Sequence, residues 1–158
     1  MLIDEIEQVQ NPGLGAALIW RFACGYESAG NHEAVPLAYA FLVIPLLFNK
    51  GVQEAVISTH KGLRKLEEKL NGAQALLASI QEGALSMRGL SQESLALAIR
   101  AGLLTLDVPN ALLRVRSATP PGVQDESAAK LLKAADKLGL WASQVSVREF
   151  CFVFHLEL

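Results

Sequence analysis

The sequence predicts a mainly α fold: a helical domain that includes one winged-helix-like helix–helix–β-hairpin unit. Three observations point there. Apolar residues recur at three- and four-residue spacing through most of the 158 positions. Turn-forming residues cut that pattern into segments shorter than a bilayer span. One stretch, Leu103 to Val115, instead places two short apolar runs around Asp107-Val108-Pro109-Asn110, which is a hairpin signal. The length suits a single domain over residues 1–158. It reads as an apolar helical part (1–60), a winged-helix-like part (61–118) and a C-terminal helical part (119–158).

Each element follows from local chemistry. Asn11-Pro12 reads as a helix start, with Asn as cap and Pro at the first helical position. Leu14, Leu18, Phe22, Ala17, Trp20 and Cys24 then leave Arg21 the only charge, so the helix should be buried nearly all round, and Gly25 is expected to end it. A second apolar helix is expected from Val35-Pro36, kinked or split near Phe41–Ile44 because Pro45 removes a backbone hydrogen bond. Asn49-Lys50-Gly51 is expected to close it, and Gln53 to Ser58 to form a helical turn. A polar helix follows from Thr59 to Gln81, with Gly72 as its weak point. Ser91 reads as the cap of a helix to Ala101, ahead of the hairpin. Thr119-Pro120-Pro121-Gly122 reads as a break, and Asp125 as the cap of an amphipathic helix ended by Gly139. The tail from Ser146 alternates like a strand. It also groups Val147, Phe150, Phe154 and Leu158 on one helical face, and the helix is preferred because no second run nearby offers a sheet partner.

Composition removes several classes of function. Hydrophobic types make up 51% and charged types 19%, which excludes disorder. With 14 basic against 16 acidic residues, the chain is no bulk-charge nucleic-acid binder. Its longest apolar run, Ala34 to Phe48, holds fifteen residues and two prolines, too short to span hydrocarbon. Asp4, Glu5 and Glu7 stand where an export signal would carry positive charge. Cys24 and Cys151 lack metal or redox spacing and read as free, buried thiols of a reducing, cytoplasmic compartment. The apolar excess is expected to face other subunits, so that the isolated chain would self-associate.

Motifs for chemistry are absent. His32, His60 and His155 belong to no HExxH, zinc spacing or nucleophile elbow. His60 reads as a surface residue and His155 as a packed one, a ligand or base role being the alternative for each. Gly13-x-Gly15 lacks both a preceding strand and a third glycine, so it reads as close helix packing. No catalytic residue, cofactor or metal site is therefore expected, and the chain is read as a non-enzyme. From Leu85 to Arg116 the order is helix, turn, helix, hairpin, with four arginines against Glu93 and Asp107. Arg100, Arg114 and Arg116 are its candidate DNA contacts; use of the same unit for protein contacts, or plain packing, is the alternative.

The segment Asn11-Pro12-Gly13-Leu14-Gly15-Ala16-Ala17-Leu18-Ile19-Trp20-Arg21-Phe22, with Gly25-Tyr26, resembles the opening signature of the middle component of three-component ABC-ATPase conflict systems, the Lamassu-type bacterial defence operons. Val35 to Lys50 is similar to that family's proline-bounded apolar helix, and the Thr59–Leu70 helix and Gly102–Leu113 hairpin extend the likeness over about the first 115 residues. The resemblance implies a small non-catalytic subunit between an SMC-like ABC ATPase and an effector, often a nuclease, in an anti-phage hetero-oligomer. Trp20, Tyr26, Tyr39, Trp141, Phe150, Phe152 and Phe154 are the candidate interface anchors, since large aromatics dominate interface energetics, with a core role as the alternative for each.

Overall fold

The computed structural model describes residues 11–28, 33–118 and 125–157. The expected break at 119–122, the acids at 4, 5 and 7, His32 and Leu158 fall outside them. Helix α1 (Pro12–Glu27) begins as its sequence requires: the Leu14 N–H donates to Asn11 Oδ1 at 3.1 Å. It runs past Gly25 to Glu27 because Gly25 serves a different purpose. A Cβ there would collide with the Asp136 carbonyl oxygen of α7 (Glu126–Ala142), and one at Gly139 with the Phe22 carbonyl oxygen of α1. The two glycines are thus reciprocal points of closest approach between α1 and α7. Gly139 likewise does not end α7, which continues to Ala142.

Val35–Pro36 opens no helix. It forms β1, followed by a 3-10 turn at Leu37–Phe41 and, after Leu42, by α2 (Val43–Leu47), so the apolar run splits where Pro45 demanded. Asn49 caps α3 (Lys50–Ser58) rather than closing what precedes it, its Oδ1 accepting from Val52 N–H at 3.2 Å. Lys137 of α7 donates to the carbonyls of Val56, Ile57 and Thr59, at 3.2, 3.0 and 2.9 Å, and satisfies the C-terminal end of α3. The polar helix divides at Gly72 (φ +87°) into α4 (Leu63–Leu70) and α5 (Gln74–Ser86).

Only Met87 separates α5 from α6 (Arg88–Arg100), so Ser91 is buried inside α6 instead of capping it. Gly102, at φ +77°, then turns the chain. Its N–H donates to Ile99 O at 3.1 Å, and that of Leu103 to Ala98 O at 2.9 Å, a double C-terminal closure of α6. The hairpin follows as expected, β2 (Leu104–Asp107) against β3 (Leu112–Val115), and β1 pairs with β3 to give a three-stranded antiparallel sheet, order β1-β3-β2. Asp125 caps α7 through Ser127 N–H, and the tail is the helix α8 (Val147–Val153), capped by Ser146 Oγ on Glu149 N–H at 3.1 Å. The architecture is mainly helical with this one small sheet, and a single apolar cluster runs through it from Ala16 to Leu156.

Candidate functional site

Helical periodicity sorts the aromatic tail. Phe150 and Phe154 lie four residues apart on the inner face of α8 and the turn after it, 1% and 0% exposed; Phe152, two residues round, is 74% exposed. The inner pair joins a cluster centred on Tyr39. The Tyr39 ring lies 5.1 Å from Phe150, 5.2 Å from Phe22 and 5.8 Å from Tyr26, while Phe150 and Phe154 are 5.0 Å apart. Trp20 is buried with its Nε1–H donating to the Ser117 carbonyl at 2.8 Å, and Trp141 is buried beneath the Lys137 ammonium, 6.0 Å from its ring centre. Trp20, Tyr26, Tyr39, Trp141, Phe150 and Phe154 are therefore core in the folded chain, closed to a partner that docks on its surface. The cause is the near-continuous apolar surface of α1, which needs covering on every side.

Phe152 remains open and borders a groove of about 470 Å³ between α4 and α8. Leu63, Val145 and Val153 supply its apolar lining. Arg64 and Glu67 on α4, and Arg148 and Glu149 on α8, stand around it. None of these four has an ion-pair partner among the described residues. A second groove, about 400 Å³, lies between α1 and α7 beside the Arg21–Asp136 ion pair at 3.4 Å.

The remaining candidates fall elsewhere. Arg100, Arg114 and Arg116 are all exposed: Arg100 ends α6, Arg114 lies in β3 and Arg116 just past it. His60 and His155 are both exposed and far apart in sequence, and His155, expected to be packed, instead turns the chain after α8 with φ +54°. No cluster of three or more His, Cys, Asp or Glu able to hold a metal occurs among the described residues. Cys24 and Cys151 are free; burial pushes the Cys24 thiol up to about 11, offset in part by Arg21, and burial also raises Cys151. No helix of the described residues is long and apolar enough to cross a membrane.

A family model described as ABC-three component (ABC-3C) system Middle Component 3 matches residues 2–155. Nothing among curated proteins or solved structures matches the chain.

Proposed function

The chain belongs to the ABC-three component system Middle Component 3 family, and on that premise we propose that it is a non-catalytic, cytoplasmic adaptor joining an SMC-like ABC ATPase to an effector. A component of a multi-component ABC system works with protein partners, and the effector in this reading is often a nuclease, in an anti-phage system of Lamassu type. Phe152 carries the proposal. A 74%-exposed phenylalanine stays in water and forgoes the free energy of burial within its own chain, yet it borders an apolar groove. A balanced rim of two arginines and two glutamates suits an amphipathic helix from a partner, whose apolar stripe would cover Phe152 while its charges meet the rim.

The test is affinity capture with the tagged chain co-expressed with an SMC-like ABC ATPase and an effector from the same genome. Wild type is expected to retain both. Phe152→Asp should lose the partner that covers the groove by roughly tenfold or more, as for a central aromatic anchor. Leu85→Asp, which removes another exposed apolar side chain on α5, should retain it. Capture of neither partner by wild type defeats the adaptor reading; retention of both by Phe152→Asp defeats the groove as its site.

A further inference from the structure

We propose that the end of α6 and the outer face of the β2–β3 hairpin contact the phosphate backbone of duplex DNA, at a surface separate from the Phe152 groove. The geometry starts with the closure of α6. Arg100 lies in its last turn, and Leu103, three residues on, accepts the Arg116 N–H at its carbonyl oxygen, 2.9 Å away. Arg116 is thereby placed alongside the helix end. Arg114 stands opposite Thr105 in the ladder, and Arg116 follows two residues on, just past the end of β3. Leu113 and Val115, which alternate with them, face the core; Leu113 is 1% exposed and Val115 packs partly buried against the apolar cluster. Three guanidinium groups thus project from two rigid elements joined by a closed turn.

Their charge is not neutralised locally. None of the three makes an ion pair among the described residues. The one carboxylate on the hairpin, Asp107, is engaged in its turn, accepting from Asn110 Nδ2–H at 2.8 Å and facing the Asn110 N–H. Glu27, the acid α1 brings to this sheet, accepts the Val115 N–H at 2.6 Å. Guanidinium forks match phosphate oxygens two at a time, and a fixed row of them suits a regularly spaced phosphate backbone better than a flexible acidic peptide. The hairpin turn beyond them is held in place. Val108 is 73% exposed beside Pro109, and the Leu37 N–H holds the far side of the turn by donating to Ala111 O at 2.9 Å. The tip itself lies between Asp107 and Asn110, with Arg114 two ladder positions further back, so the arginines and not the tip are the groups that meet phosphate.

The experiment is fluorescence anisotropy of a labelled random-sequence duplex of about 30 base pairs, a few windings long, titrated with the full chain across a salt series. R100A/R114A/R116A is compared with K61A/K65A/K69A, which removes the same charge from the α4 region. The arginine variant should lose roughly tenfold or more in affinity at low salt, and its log–log salt slope should shrink by about 0.9 per contact removed. The lysine control should keep both. Circular dichroism melts identify any variant that has failed to fold, and R100K/R114K/R116K, which keeps the charge, should recover part of the binding. Absence of wild-type binding at low salt overturns the proposal. So do equal losses in the two triple variants, which would mean bulk charge. An arginine variant that binds DNA as wild type does but no longer captures a protein partner also overturns it, and assigns the surface to that partner. Duplex binding and partner capture are separate readouts, so this inference and the adaptor reading can fail independently.

Discussion

The hydroxyl of Tyr39 is buried at the middle of the aromatic cluster and finds no hydrogen-bond partner among the described residues. Burial is the main reason its pKa lies far above the ordinary 10.0, with Tyr26, Cys151 and Glu149 adding to the effect. Burial raises Tyr26 in the same direction, and it carries Cys24 to about 11. Each group keeps its proton in the folded chain at a pH where the unfolded chain has lost it. The folded state then binds more protons, so stability falls as pH rises through the ordinary thiol and phenol values. Urea unfolding is accordingly expected to show a midpoint that drops between pH 9 and pH 11. Tyr39→Phe should lie within about 1 kcal/mol of wild type at pH 7.5, since it deletes a hydroxyl that bonds to nothing among the described residues. At pH 11, above the ordinary tyrosine value, it should escape part of that loss. Parallel pH profiles for the two proteins would show that Tyr39 ionises when folded as readily as when unfolded.

At the scale of elements, what the sequence discloses depends on how far away the cause lies. Asn11, Asp125 and Ser146 are legible as caps because each bonds to an N–H two or three residues on. Pro45 is legible as a splitter because its effect falls on its own helical turn. Gly25 and Gly139 look like terminators by the same local rules, but their role belongs to another helix. Likewise β1, only two residues long, exists because β3 lies beside it, more than seventy residues later, and no periodicity can announce a two-residue strand. The glycine pair shows what these distant causes are worth. Ala at 139 would gain about 1 kcal/mol of helix propensity in α7, yet its methyl would meet the α1 backbone at Phe22, which cannot turn aside as a flexible side chain can. Overpacking of this kind costs about 1–3 kcal/mol. Gly139→Ala should therefore be destabilised by up to about 2 kcal/mol in urea unfolding, despite its better propensity. A gain in stability would mean that α1 and α7 separate easily and that the crossing is loosely held.

For the molecule as a whole, the low charge and high apolar content receive a different explanation from the one composition suggests. Much of the excess lies inside: α1 is covered by α6, α7 and the sheet, and six of the seven aromatic side chains expected at interfaces fill the core. The large apolar side chains left exposed among the described residues are Ile57, Leu85, Val108, Leu140 and Phe152. Phe152 was legible as an aromatic, but its exposure followed only from a choice of period. A strand would put Phe150, Phe152 and Phe154 on one face; a helix separates Phe152 from the other two by about half a turn. If the isolated chain self-associates, the physical cause is then one bordered groove rather than a generally apolar surface. Size-exclusion chromatography with light scattering across a concentration series should find self-association in wild type and in Leu85→Asp. Phe152→Asp should elute as a monomer with an unfolding midpoint close to wild type, because an exposed substitution of this kind changes stability by about 0.5 kcal/mol or less. Persistent self-association of Phe152→Asp would move the sticky surface elsewhere. A wild-type chain that stays monomeric throughout would show that the groove is too weak to pair with itself, and that any partner covering it must supply the complementary face.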